Sequence, residues 1–94
     1  MSIKSFGCAE TEKLFNDERG TGIPNQIVKR ARIKLLMIDA ATGVSDLRIP
    51  PGNRLEKLSS ARSGQYSIRI NDQYRLCFGF RNGDAFQVEI VDYH

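Results

Sequence analysis

The end of the chain decides the fold, and residues 66–94 read YSIRINDQYRLCFGFRNGDAFQVEIVDYH. Apolar and polar side chains alternate there in three runs, residues 66–70, 74–80 and 86–90. Alternation with a period of two is typical of half-buried strands. Asn82-Gly83 is a strong signal for a tight hairpin turn, and Asn71-Asp72-Gln73 marks the turn before it. This stretch therefore predicts an antiparallel meander.

The alternation also assigns side chains to the two faces of the sheet. The even-numbered residues of the three runs are mostly apolar and should face the core, with Phe86 among them in the last strand. Arg69 and Arg75 then project from the opposite face near one turn, so we expect them to be neighbours. Two guanidinium groups on one face could clamp a phosphate, which they match in charge and geometry. In the alternative interpretation they are solvated and pair with Glu89 across the sheet, each pair contributing under ~1 kcal/mol.

The preceding residues predict two helices and further strands. Residues 9–15 form the first helix, with acidic side chains in its first turn, where the helix dipole favours them. Residues 25–41 form the second, and Pro24 lies in its first turn, where proline is favoured. Residues 54–58 predict another strand of the meander, and residues 3–6 a short edge strand. The expected class is α+β, with the helices packed on one face of an antiparallel sheet.

The second helix carries two sets of apolar residues. One set falls within about 100° of arc and should face the core. Its members are Ile27, Val28, Ala31, Leu35 and Ile38. Ile33, Leu36 and Met37 lie elsewhere on the circumference, so we expect a second apolar surface, covered by the first helix.

Length and composition fit one small globular domain, residues 1–94. No apolar run approaches the roughly 20 residues that cross a bilayer, and the N-terminus lacks the apolar core of a secretory signal. We therefore expect a cytoplasmic protein that does not contact a membrane. Cys8 and Cys77 fit no metal or redox spacing, which favours reduced thiols. A single histidine without a Cys-x-x-Cys pair disfavours a zinc site.

Three polar residues follow the last strand directly. Asp92, Tyr93 and His94 bring a carboxylate, a phenol and the protein's single imidazole to one place. These groups move protons and stack on nucleobases. The alternative is a polar strand end without a chemical role.

Two further groups of basic residues precede the last three strands, and the net charge of +3 permits an anionic partner. Arg54, Lys57 and Arg62 precede the meander, in loops and strand ends of the kind that often contact phosphates. The second helix carries four more, Lys29, Arg30, Arg32 and Lys34. They are scattered around its flanks, which favours a solvated surface. If they bind anything, an acidic protein partner and a phosphate backbone would both fit.

Four segments of the chain together resemble one known family. They are GQYSIRINDQYRLCF (64–78), VDYH (91–94), PGNRLEKL (51–58) and IKSF (3–6). The long middle segment is the most specific, and the resemblance covers essentially the whole chain. The chain resembles the HigB-type toxins of the RelE superfamily.

This resemblance implies the RelE-like microbial RNase fold, in which two N-terminal helices pack on a small twisted antiparallel sheet. It also implies the toxin of a type II toxin–antitoxin pair, a ribosome-dependent mRNA endoribonuclease that inhibits translation. The expected partners are the ribosome, mRNA and a helix-turn-helix antitoxin of the HigA type. Operator DNA would be bound only through this antitoxin. Neither a metal nor an organic cofactor is expected.

The resemblance also extends to individual site residues. The family's catalytic positions are matched by Arg75, Asp92, Tyr93 and His94. The candidate RNA-binding residues are Arg54, Lys57, Arg62 and Arg69. The match departs at Glu56 and Ser59, where some members carry a histidine and a lysine. A weak nuclease, or one that relies on the ribosome for part of its chemistry, would be consistent with this, and Arg62 is a candidate to compensate.

Metal-free RNA cleavage needs a base for the 2′-hydroxyl, positive charge at the phosphorane and an acid for the leaving 5′-oxygen. Arg75, with Arg69 nearby, would supply the charge. The imidazole of His94 is suited to proton transfer near neutrality, an effect of about 10²–10⁴-fold. Asp92 could orient His94 or act as the base, and Tyr93 could stack on a base or donate a proton.

Two other functions compete with this interpretation. A non-catalytic inhibitor of translation or ribosome assembly would bind RNA or the ribosome through the same basic face. A transcriptional repressor is disfavoured because the sequence shows no helix-turn-helix pattern.

Overall fold

The computed structural model describes residues 2–93 of the chain. Two helices precede four strands, in the order α1 (Ala9–Phe15), α2 (Asn25–Ala40), β1 (Glu56–Lys57), β2 (Gln65–Arg69), β3 (Tyr74–Arg81) and β4 (Asp84–Asp92). The strands form one sheet in chain order, and each pair is antiparallel. The α+β class expected from the sequence is confirmed.

Both helices lie close to their predicted bounds. α1 has the predicted ends, and two glutamates occupy its first turn, where the positive end of the helix dipole stabilises them. α2 begins directly after Pro24, whose carbonyl accepts a hydrogen bond from the Ile27 amide at 3.0 Å. It ends at Ala40, one residue earlier than predicted, and Ala41 is already extended.

The core lies between α2 and one face of the sheet. The predicted stripe of α2 is buried at Ile27, Ala31, Leu35 and Ile38 and partly buried at Val28. From the sheet side, even-numbered residues of the meander meet this stripe: Ile68, Ile70, Leu76, Phe78 and Val88. This agreement follows from the two periodicities, 3.6 along the helix and 2 along the strands.

A buried hydroxyl fixes α1 to the last strand. Thr11 is fully buried, and its Oγ1 accepts a hydrogen bond at 3.1 Å from the backbone amide of Ile90 in β4. Leu14, one turn later, is buried in the core. The short first helix is therefore held at the far edge of the sheet.

A bulge changes the alternation in β4 and corrects one prediction. The pairing of β3 with β4 shifts register between Cys77 and Gly79, so that Gly79 faces Phe86 while Cys77 faces Glu89. Gln87, between them, has φ of 52°. Because the bulge adds one residue to β4, the β4 residues before Gln87 point to the face opposite to the one that strict alternation predicts. Phe86 therefore lies on the face opposite the helices, and not with the core residues as predicted.

The N-terminal segment covers the outer edge of β4. Ile3 and Phe6 form isolated parallel bridges to Ala85 and Val88. The segment lies at the sheet edge as predicted, but it forms separate bridges and not a continuous strand. Covering an edge in this way removes a template on which another chain could add a strand.

The predicted cover for the second apolar surface of α2 is wrong for two of its three residues. Ile33 is 45% exposed and Leu36 is 44% exposed, while Met37 is partly buried against the core. α1 has only seven residues and directs Thr11 and Leu14 inward. It leaves Ile33 and Leu36 uncovered.

The first strand of the meander is shorter than predicted. β1 contains only Glu56 and Lys57, because Arg54 adopts the left-handed conformation (φ 45°) at the end of a 3₁₀ turn over Pro51–Asn53. Within residues 2–93, no helix is long and apolar enough to cross a membrane.

Candidate active site

A cleft of about 410 Å³ lies at the end of the sheet where β2 turns into β3. Seven residues line it: Arg54, Glu56, Arg69, Asn71, Asp72, Arg75 and Tyr93. The first three strands and the turn between β2 and β3 contribute five of these residues. The other two lie just before β1 and just after β4. Three arginines face two carboxylates, so the formal charge of the lining is positive by one.

Arg75 is the most firmly held residue of the cleft. Its Nε donates to Ser67 Oγ at 2.8 Å, and one terminal nitrogen donates to the carbonyls of Arg54 at 2.6 Å and Ser67 at 3.3 Å. The other terminal nitrogen lies 3.8 Å from a carboxylate oxygen of Glu56. Only 8% of the residue is exposed. A guanidinium fixed in this way needs no reorganisation to stabilise an anion placed against its open edge.

Arg69 lies directly beside Arg75, as the sequence predicted. The two are paired in the register of β2 with β3, on the face opposite the helices. Like charges placed opposite each other destabilise a sheet. Arg69 is partly neutralised by an ion pair with the fully exposed Asp72. The alternative pairing of both arginines with Glu89 is not found, because Glu89 binds Arg62 at 2.8 Å.

Tyr93 closes the cleft from the side of β4. Its amide donates to the Gln73 carbonyl at 2.6 Å, its ring centroid lies 5.9 Å from the Arg75 guanidinium carbon, and 44% of the residue is exposed. Its hydroxyl lies 4.0 Å from the Cys77 sulfur. Burial, followed by the neighbouring Cys77, raises the pKa of the Tyr93 phenol. Burial likewise raises the pKa of the Cys77 thiol. Both groups are therefore protonated near neutral pH, and Tyr93 offers a proton and an accessible ring.

The structure separates Asp92 from Tyr93. Asp92 is paired with Tyr74, so it lies on the helix side of the sheet, while Tyr93 lies with Arg75 on the other. Gln73 Nε2 donates to the Asp92 carboxylate at 3.0 Å. Asp92 therefore reaches the cleft only around the end of β4. His94 lies outside the described residues.

The candidate RNA-binding residues occupy different places. Arg54 and Arg69 line the cleft. Lys57 lines a separate cleft of about 700 Å³, next to Tyr66 and Arg48. Arg62 bridges Glu89 and Gln65 on the same sheet face as Cys77, and hydrogen bonding to Glu89 is the main cause of its raised pKa. Among residues 2–93, no three histidine, cysteine or acidic side chains cluster as metal ligands would.

Sequence reasoning missed the groups that hold Arg75. Ser67 is fully buried and supplies two of the acceptors. The Arg54 carbonyl, a third acceptor, is turned toward Arg75 by the left-handed backbone of that residue. The alternation does place Ser67 and Arg75 on one face. This shared face was the sequence signal that could have identified Ser67 as a partner of Arg75. No sequence signal indicated the Arg54 carbonyl.

If the cleft cleaves RNA, as the resemblance implies, Ser67→Ala is expected to lower kcat for cleavage about tenfold, or about 1.4 kcal/mol, with little change in KM, because Arg75 loses the acceptor that orients its Nε. The buried Nε left without a partner should also lower the free energy of unfolding by about 1–3 kcal/mol. Single-turnover cleavage and urea denaturation measure the two effects. Ser67→Thr keeps the hydroxyl and should recover activity, and Ser63→Ala, on the exposed loop, is the control. Unchanged kcat in Ser67→Ala would mean that the two carbonyls suffice.

Comparison with known proteins identifies the family of the chain. The chain matches the family model of HigB-like toxins, described as the RelE-like toxin of the type II toxin–antitoxin system HigB, over residues 4–94. It is 49% identical to Toxin HigB-1 of Vibrio cholerae over 70 residues, and these residues make up 74% of each chain. It is 36% identical over 92 residues to Endoribonuclease HigB of Proteus vulgaris, covering 98% of this chain and 99% of that one.

Solved structures give the same fold. One chain of the YoeB–YefM complex from Staphylococcus aureus matches with a TM-score of 0.62 and 20% identity, covering 100% of this chain and 99% of that one. A heterotetrameric YoeB–YefM toxin–antitoxin complex from the same organism matches with a TM-score of 0.54 and 18% identity over the same shares. At these identities the likeness shows the fold alone. Because the family model spans nearly the whole chain, this protein belongs to the HigB family of RelE-like toxins of type II toxin–antitoxin systems.

Proposed function

We propose that this toxin is a metal-independent endoribonuclease that cleaves mRNA on the ribosome and so inhibits translation. The observation that carries the proposal is the guanidinium of Arg75, held by three acceptors beside Arg69 and Tyr93 in an open cleft. The name of the Proteus vulgaris relative, Endoribonuclease HigB, supports the same activity.

The reaction that fits this cleft is internal transesterification. The 2′-oxygen attacks the neighbouring phosphorus, the bond from phosphorus to the 5′-oxygen breaks, and a 2′,3′-cyclic phosphate forms. One proton leaves the 2′-hydroxyl, and one is delivered to the 5′-oxygen. Arg75 and Arg69 stabilise the charge of the phosphorane, which is the largest contribution that fixed donors make.

Proton transfer falls to the end of the chain. Tyr93, whose pKa burial raises further above its ordinary value, is protonated near neutral pH and stacks on a base or donates to the leaving oxygen. His94 is proposed as the other proton-transfer group, since imidazole changes charge near neutral pH. Asp92 orients His94 or acts as the base, approaching from the other side of β4. Arg54 binds the RNA backbone within the cleft, and Lys57 does so from its separate cleft.

Dependence on the ribosome follows from what the cleft lacks. Glu56 places a carboxylate 3.8 Å from Arg75, where a phosphate would gain from a cation. Ser59, just beyond β1, is a hydroxyl where some family members carry a lysine. A site with this acid–base set gains from an A site that positions the mRNA, because orientation alone lowers the barrier substantially.

The proposed partner in the resting state is a helix-turn-helix antitoxin of the HigA type, which alone contacts operator DNA. The family description, a type II toxin–antitoxin system, supports an antitoxin partner. We further propose that residues 1–94 act as one toxin domain in the cytoplasm. One buried cluster joining both helices to the sheet supports the single domain.

The test is transcript 5′-end mapping after brief induction without antitoxin. New 5′-ends within translated reading frames are expected for the wild type and should disappear when the antitoxin is co-expressed. His94→Ala and Tyr93→Ala should abolish these ends. Arrested growth without new 5′-ends would instead identify a non-catalytic inhibitor. So would His94 and Tyr93 variants whose growth inhibition falls only in proportion to their loss of ribosome binding.

Arg62→Ala is expected to lower cleavage about tenfold, or about 1.4 kcal/mol, if Arg62 supplies the charge missing at Ser59. Glu89→Gln breaks the same ion pair but leaves Arg62 in place, so it should retain or increase cleavage. Single-turnover cleavage of ribosome-bound mRNA compares the two. Equal losses would show that the ion pair is needed for structure and would remove Arg62 from the RNA-binding residues.

A further inference from the structure

Two basic residues of α2 converge on the same end of the sheet as the cleft. Arg30 and Lys34 are four residues apart and so lie on one side of the helix. A terminal nitrogen of Arg30 donates to the Ile70 carbonyl at 3.3 Å, just after β2. Lys34 Nζ donates to Oδ1 of Asn53, which is fully buried. Both side chains are thus held in place by a hydrogen bond, although Arg30 is itself exposed, as the sequence predicted for the basic residues of this helix.

Neutral acceptors hold these two cations, so their charge is not cancelled. Within residues 2–93, neither Arg30 nor Lys34 takes part in an ion pair. Burial, then repulsion from Arg30 and from Arg69, lowers the pKa of Lys34. The fold therefore maintains three mutually repelling cations, with a carboxylate only at Arg69. An anion from outside would relieve this repulsion.

A groove lined by Arg30 adjoins the cleft. About 350 Å³ in volume, it is lined by Gln26, Ile27, Lys29, Arg30, Ile33 and Asn71. Asn71 lines both this groove and the cleft that holds Arg75. The half-exposed Ile33 gives the groove an apolar wall beside Lys29 and Arg30. A nucleotide needs this combination, a cation for its phosphate and an apolar face for its base.

We propose that this helix groove, together with Arg30 and Lys34, is a second binding site for single-stranded RNA, continuous with the cleft through Asn71. The inference rests on the proposed nuclease function and adds to it a route for the strand. One phosphate lies against Arg75 and Arg69. The neighbouring segment passes Asn71 and is held by Lys29 and Arg30, and Lys34 adds positive charge beside Arg30.

RNA is the occupant that the placement favours. A strand whose phosphate occupies the cleft must leave it over one of the walls, and Asn71 forms the wall beyond which further cations lie. An acidic protein segment could neutralise the same cations, but nothing in its chemistry would require continuity with Arg75. A protein on this face is therefore an outcome of the test.

The test measures binding of a 2′-O-methyl RNA of about twelve nucleotides, within the usual range of single-strand sites, by fluorescence anisotropy over a range of salt. The methyl group prevents cleavage. The variant is Arg30→Gln with Lys34→Gln, and the matched control is Lys13→Gln with Arg19→Gln, which loses the same charges from exposed positions elsewhere. Because Lys34 contacts buried Asn53, a second variant, Lys29→Gln with Arg30→Gln, changes only exposed residues.

The expected result is weaker binding, on the order of tenfold at low salt, for both groove variants and not for the control. The slope of log affinity against log salt should become shallower by about 1.4 when two phosphate contacts are lost. Equal affinities and slopes in all proteins would overturn the second site. Groove variants that bind RNA normally but no longer bind the antitoxin would also overturn it, and they would assign this face to the protein partner. Either failure would leave the nuclease intact if the wild type still produced 5′-ends that require Arg75.

Discussion

Arg75→Met is expected to reduce kcat/KM for the proposed cleavage of ribosome-bound mRNA by about 10²–10³-fold, or about 2.7–4 kcal/mol. The guanidinium is buried, oriented by Ser67 and the Arg54 carbonyl, and directed toward the cleft. Methionine has a similar length but no charge, so it removes the electrostatic stabilisation while filling much of the same space. Single-turnover cleavage of a defined mRNA measures the loss.

Arg81→Met is the matched control for this substitution. Arg81 lies on the same strand but at its other end, exposed and stacked over Phe86 at 5.0 Å, so its loss should leave cleavage unchanged. Arg75→Lys keeps a charge, but its single nitrogen cannot occupy the positions of both Nε and the terminal nitrogen, and it should recover only part of the activity. If Arg75→Met folds and cleaves at the wild-type rate, Arg75 has no part in the chemistry.

Phe78→Ala is expected to lower the free energy of unfolding by about 3–5 kcal/mol. Phe78 is fully buried at the centre of β3, with its ring stacked on Tyr66 at 6.1 Å between centroids. A chain of this size has a total stability of about 5–14 kcal/mol, so one such cavity removes a large share of it. Urea denaturation measures the change.

Phe86→Ala removes the same atoms from the opposite face of the neighbouring strand. Because the bulge places Phe86 under Arg81 and away from the helices, we expect a loss of about 1 kcal/mol or less. Equal losses for the two phenylalanines would contradict the bulged register, since only an unbulged strand would bury Phe86 in the core.

The fold could be predicted from local patterns wherever the pattern was regular. The alternation located β2 and β3, the spacing of Ile27 to Ile38 identified the buried side of α2, and Asn82-Gly83 marked the hairpin. Prediction failed where a backbone irregularity intervened. A left-handed Arg54 shortened β1, and Gln87 in a bulge moved Phe86 to the other face. Neither arginine nor glutamine favours a positive φ, so the sequence gives no signal of these conformations.

The site could be predicted only in part, for a related reason. Alternation was sufficient to place Arg69 beside Arg75, because register carries side chains on one face into contact. The same alternation, applied beyond the strand, separates Asp92 from Tyr93, although the sequence interpretation grouped them. The convergence of Lys34 on Asn53 depends on how α2 crosses the sheet, which no local pattern encodes.

The bridges from Ile3 and Phe6 to β4 set an order of events during synthesis. Each of these residues pairs with a residue made 82 positions later. Contacts so distant in sequence form late, because a long loop must close first. Tyr93, which completes the cleft, is made later still. We therefore expect the nascent chain to carry an unsealed sheet edge and an unfinished cleft until translation of this domain is nearly complete.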